Sequence, residues 1–336
     1  MDRSIVLTGP DTDQGASSRQ YHQDFPLSIA YKSPPALADQ AFGLQELGLY
    51  AGIVFLWGTS WFPLKLQIGV VAPHVSLTWR FVIAAAIMMM LVSLTKRPLR
   101  FPARTHLRFA LLGIFLFSTN FALFYYGAQW ITSGLLSVVF SLASIVNIGF
   151  ALILYGQVPT RRVMWGALLG ITGIAALFWP EIMAHDADPG TLFGLLLCFG
   201  GTVSFCIGNL FSAQLQRSGV SVMSGNAWGM VYGASFSAVI AFISGAAFII
   251  EPTASYILSL LWLAVPGTVF AFWCYLTLLG RIGSARAGYA TIMFPIIALL
   301  VSTLVENYQW SLLAGLGVAL ALAGNGLVLS ARKKTV

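Results

Sequence analysis

Between Glu46 and Glu181 the chain contains not one Asp or Glu. Few folds accept so long an interval without a carboxylate, because a water-facing surface needs charge of both signs and soluble domains carry roughly 25% charged residues. Here 9% of the 336 residues are charged and 58% are hydrophobic. The solvent of such a chain is lipid.

Charge-poor stretches follow one another at about 47–72, 75–95, 107–127, 133–155, 163–180, 191–213, 222–250, 257–280, 284–305 and 311–330. Most reach the ~20 residues that a helix needs to cross about 30 Å of hydrocarbon. They are Gly-rich and lack the short alternation of barrel strands. Since lipid offers backbone groups no partner, the expected fold is an all-α integral membrane bundle of ten transmembrane helices. Residues 1–46 differ: they hold nine charged residues and Pro26, Pro34 and Pro35, without an apolar stripe. They read as a disordered tail and not as a signal peptide.

The net charge of +7 is unevenly placed. Lys96, Arg97, Arg100, Arg104 and Arg108, then Arg161 and Arg162, Arg217, Arg281 and Arg286, and Arg332 to Lys334 all fall on links of one side of a ten-span zigzag. The opposite links carry Glu181, Asp186 and Asp188, Glu251 and Glu306, without Lys or Arg. Positive charge marks the cytoplasmic side, which puts both termini inside. The basic balance is therefore a topology signal, and nucleic acid is not an expected partner.

The two halves resemble each other at a displacement of 151 residues. "YGQVPTRRVMWGALLGITG" (155–173) aligns with "ENYQWSLLAGLGVALALAG" (306–324), setting Gly166, Gly170 and Gly173 on Gly317, Ala321 and Gly324. Upstream, Ser133 falls on Ser284 and Ser144 on Pro295. Five spans per repeat is odd, so the halves must lie inverted: a first repeat over 47–180, an extracytoplasmic link at 181–190, a second repeat over 191–330, and a basic tail at 331–336. Inverted repeats with a site between them suit alternating-access carriers.

"WGTSWFPLK", "TWRFVIAAA" and "LLGRIGSARAGYATIMFPIIALLVSTLV", together with the two glycine ladders, resemble the EamA family of the drug/metabolite transporter superfamily. The resemblance covers about 47–330 and implies a ten-span, two-repeat carrier of the inner membrane that exports small organic metabolites. One departure stands out. Where the family has Gly-Glu after the fourth helix of each repeat, this chain has Gly156-Gln157 and Asn307-Tyr308.

Lys65 sits in an otherwise apolar context, either snorkelling to the interface or facing a cavity that receives an acidic group. Arg80, early in the second span, either anchors helix carbonyls or Glu306, or touches the solute. Ser133, Ser137, Ser141 and Ser144, with Asn147, recur at spacings that share one helix face, for helix packing or for a hydroxyl-lined path. Asn209, Ser212 and Thr277 add polar groups within spans. Trp57, Trp61, Tyr125, Tyr126, Trp273 and Tyr275 lie deep or beside glycine, fit for core packing or for a cavity that takes an apolar side chain. The glycine ladders read as close helix packing, within one chain or across a homodimer seam.

Absences narrow the chemistry. The four histidines lie in the tail or links, and no HExxH, P-loop or paired carboxylates occur, so neither an enzyme nor a metal or cofactor is expected. An intramembrane carboxylate for proton-coupled export of cations is likewise missing. The solute expected is an amino acid or similar zwitterionic or anionic metabolite. A translocator of phosphorylated or sugar-linked metabolites is the alternative carrier, and a receptor or scaffold the alternative of another class.

Overall fold

The computed structural model describes residues 43–156, 158–183, 189–287 and 290–329. Most of the expected tail, Gln157, His185, Asp186, Asp188, Gly288 and the basic C-terminus lie outside them. The described residues are helical throughout, without strands. In order they form α1 (Leu44–Gly58), α2 (Trp61–Lys65), α3 (Pro73–Leu94), α4 (Ala103–Leu112), a π-helical segment (Gly113–Thr119), α5 (Asn120–Gly127), α6 (Ser133–Phe140), α7 (Ala143–Tyr155) and α8 (Arg161–Met183). Then come α9 (Pro189–Arg217), α10 (Val222–Ile243), α11 (Ala254–Ala264), a second π-helical segment (Val265–Phe270), α12 (Ala271–Ala287), α13 (Ala290–Val305) and α14 (Leu312–Leu329).

Among the described residues, seven stretches are long and apolar enough to cross a membrane, against the ten expected from sequence: Leu44–Lys65, Pro73–Leu94, Ala103–Gly127, Ser133–Leu154, Gly190–Arg217, Val222–Ile243 and Ala254–Leu278. Met293–Val305 and Leu312–Leu327 are apolar but shorter. Several boundaries move. The first span, expected to 72, ends its helix at Lys65 and breaks before Trp61; the seventh, expected to 250, ends at Ile243.

The breaks have local causes. Pro63 has no N–H to offer the Thr59 carbonyl. Thr59 Oγ1 donates back to the Phe55 carbonyl at 2.7 Å, and Ser60 Oγ to that of Leu56. Between α6 and α7, Ser137 and Ser141 donate to the carbonyls of Gly134 and Val138, each at 2.6 Å. Such back-bonding competes with the helix ladder. Starts are marked as well: Pro73 opens α3, where a missing N–H costs nothing, and Ser221 caps α10 by accepting from the Ser224 N–H at 3.1 Å.

α8 packs along α14, and α3 along α10. A Cβ added at Gly173 would lie 2.4 Å from the Ala321 nitrogen, and one at Gly324 would lie 2.5 Å from the Gly170 nitrogen. The two glycine ladders thus pack on each other inside one chain, which small residues permit by letting backbones approach.

Candidate functional site

Trp57 on α1, Ser60 in the break, and Trp61 and Leu64 on α2 border a pocket that α3 enters with Arg80. α5 supplies Asn120, Phe121 and Phe124, and α6 supplies Phe140. From the second half come Phe205 on α9, Leu263 on α11, Gly267 and Phe272. The pocket takes in about 470 Å³ of empty space, its open mouth included. Its walls are rings in edge contact: Trp57 meets Phe272 at 5.2 Å, Trp61 meets Phe124 at 5.3 Å and Phe140 meets Phe205 at 4.6 Å. Such contacts add to the burial of large apolar surfaces.

Arg80 is the sole charged residue among these walls and is 2% exposed. Its Nε donates to Thr268 Oγ1 at 3.0 Å, and Thr268 Oγ1 donates in turn to the Leu263 carbonyl at 2.7 Å. Thr268 stands within the second π-helical segment, Val265–Phe270. The Phe121 ring centroid lies 4.2 Å from Arg80 Cζ, within cation–π range. The Tyr125 hydroxyl interacts with the guanidinium.

No carboxylate of a described residue pairs with Arg80. Its Nη1, the Trp61 Nε1 and the Asn120 Oδ1 are buried without hydrogen-bond partners. Two donors and one acceptor therefore stand unused on residues that line one apolar cavity. A buried cation without a counter-charge is costly, and unpaired buried polar atoms add to the cost.

Lys65 is held differently. Its Nζ lies 3.3 Å from Glu306 Oε1 and donates to the Ile131 carbonyl at 3.3 Å. Glu306 also accepts from the Ser133 N–H at 3.1 Å and from its hydroxyl. The cluster joins the end of α2, the start of α6 and the turn after α13. The carboxylate that the sequence offered to Arg80 is thus taken by Lys65.

The other residues singled out from sequence divide. Trp57 stands in the pocket, and Tyr275 is buried behind it with ring centroids 4.9 Å apart. Asn209 Nδ2 donates to Tyr275 Oη at 3.4 Å. Ser137, Ser141 and Ser144 are buried, but their hydroxyls serve backbone carbonyls or Asn325 on α14, whose Nδ2 donates to Ser141 Oγ at 3.0 Å while Ser144 Oγ meets its Oδ1. Asn147 is exposed, as are Tyr126 and Trp273, so none of the three joins the pocket. Asn120, Thr268 and Asn325 were missed. Asn120 and Asn325 each carry a signal, since an amide inside an apolar span demands a partner. Cys198 and Cys206 are free and buried, and Cys274 is free and partly buried.

The EamA-like transporter family matches the chain over residues 46–179 and again over 192–330. Among similar proteins, the Bacillus subtilis uncharacterized transporter YoaV is 26% identical over 286 residues, covering 84% of this chain and 96% of its own. The Escherichia coli K12 uncharacterized inner membrane transporter YedA is 24% identical over 302 residues, covering 87% and 95%. Protein PagO of Salmonella typhimurium is 22% identical over 289 residues, covering 86% and 94%. A solved crystal structure superposes with a TM-score of 0.63 at 18% identity, over 84% of this chain and 95% of that one, a likeness of fold alone. With two matched segments that together span most of its apolar sequence, this multi-pass membrane protein belongs to the EamA-like transporter family.

Proposed function

We propose that the protein exports a small organic solute bearing an acidic group, an amino acid or a similar zwitterionic or anionic metabolite, across the cytoplasmic membrane by alternating access. One observation carries this reading: a buried arginine without a counter-ion among the described residues, inside an aromatic pocket lined from both halves of the chain. An intramembrane ion is costly unless paired, and a solute carboxylate completes the pair. Trp57, Phe205 and Phe272 take the apolar part of the solute.

Ten spans in two inverted repeats, with both termini cytoplasmic, remain the architecture of this reading. The twofold family match supports it. So do the two π-helical segments, whose last residues, Thr119 and Phe270, stand at the sequence displacement of 151. Gly173 approaches Gly317 and Ala321, while its mate Gly324 approaches Gly166 and Gly170, the reciprocal pattern that a twofold relation requires. In this frame the Lys65–Glu306–Ser133 cluster lies toward the outer face and closes that side. The phosphorylated-metabolite alternative leans on both cations, and the occupation of Lys65 by Glu306 weighs against it.

The test is mass spectrometry of the medium around cells that carry wild type, Arg80→Gln or empty vector, at equal membrane levels by immunoblot. A metabolite that accumulates outside for wild type alone is the expected result. Equal media for wild type and vector would sink the export reading. Normal export by Arg80→Gln would remove the pocket from it.

A further inference from the structure

The pocket carries one positive charge and no negative one among its lining residues. This count decides between solute classes. A zwitterion brings no net charge, so the occupied pocket would still hold an unbalanced cation in a low-dielectric interior. A monocarboxylate without an ammonium leaves it neutral. Burial of a net charge is penalised steeply, and a neutral assembly is not.

The unused hydrogen-bonding atoms point the same way. Arg80 Nη1 and Trp61 Nε1 are donors, which suit a carboxylate. Asn120 Oδ1 is an acceptor that lacks a donor, while its Nδ2 is already committed to the Leu116 carbonyl at 3.2 Å. A neutral hydroxyl satisfies that acceptor without adding charge. Phe140, Phe205 and Phe272 receive an apolar body.

Resting on the transport reading above, we infer that the pocket binds a hydroxylated monocarboxylate with an aromatic or branched apolar side chain, and discriminates against the amino acid of the same shape. Arg80 and Trp61 hold the carboxylate, Asn120 Oδ1 accepts the hydrogen bond of the hydroxyl, and the rings enclose the side chain. An amino acid matches every contact and fails on charge alone.

The experiment measures binding to the purified full-length protein in detergent by isothermal calorimetry. The probes are 3-phenyllactate against phenylalanine, 2-hydroxyisocaproate against leucine, and 3-phenylpropionate, which lacks the hydroxyl. The expected result is each hydroxy acid bound roughly tenfold or more tightly than its amino acid. Asn120→Ala should erase the advantage of 3-phenyllactate over 3-phenylpropionate, read as the ratio of their two affinities on the same variant. Arg80→Gln should remove binding of all three carboxylic acids. Phenylalanine and leucine bound as tightly as the hydroxy acids would overturn this inference and leave the acidic-solute reading standing. Carboxylate binding that is absent from wild type, or indifferent to Arg80→Gln, would overturn both. The comparison among ligands on wild type needs no variant to fold.

Discussion

Lys65 and Arg80 stand fifteen positions apart in the interval without carboxylates, and the fold treats them oppositely. Lys65 ends a short helix, is 35% exposed in its side chain, and has a carboxylate 3.3 Å away. Arg80 is buried among rings, with Thr268 as its hydrogen-bond partner and one nitrogen left over. The difference teaches which cation has spare capacity. A paired charge at a helix end holds elements together. The charge in the cavity has no carboxylate partner among the described residues.

That comparison can be broken at several points. The largest effect is expected at Arg80. Arg80→Gln should lower transport on the order of a hundredfold, the scale of removing one partner of a buried charge pair. Proteoliposome flux checks it, and flux equal to wild type would erase the distinction between the two cations. Glu306→Ala comes next, because it strips an ion pair and a doubly accepted carboxylate at once. It should cost about 1–3 kcal/mol of stability, read as a lower melting temperature in detergent with binding at the pocket retained. Lost binding with an unchanged melting temperature would make the Lys65 cluster part of the solute site.

Smaller effects sharpen the picture. Asn325→Ala leaves Ser141 and Ser144 without their interhelical partner and should cost about 1 kcal/mol in the same melting measurement. Lys65→Ala removes a partly exposed pair, worth about 0–1 kcal/mol and weakened further by salt. A loss in flux comparable to that of Arg80→Gln would show instead that Lys65 meets the solute. Asn147→Ala should change neither flux nor melting, since Asn147 is exposed outside the pocket.

Much of the fold was legible because the bilayer is a demanding solvent. Charge depletion announced membrane helices, and the glycine ladders announced a close helix contact. The partner in that contact was not legible, since glycine permits approach without choosing a neighbour; the structure sets α8 on α14. The helix break at Ser141 escaped notice, because a hydroxyl there turns on a nearby carbonyl without a change in hydropathy. Ser133, Ser137, Ser141 and Ser144 are all buried, but their spacing could not say whether water or a helix stood opposite. Asn325, far along the chain, answers that for Ser141 and Ser144.

The residues by themselves determined the solvent, the helical class and the family, because these depend on composition and spacing along the chain. Pairing of charges was decided only in three dimensions. Glu306 is distant in sequence from both Lys65 and Arg80, and either cation would satisfy it. Chain geometry delivers it to Lys65 and Ser133, leaving Arg80 with Thr268 and an aromatic cavity. Coulomb attraction weakens with separation, so which opposite charges reach contact is a property of the tertiary fold.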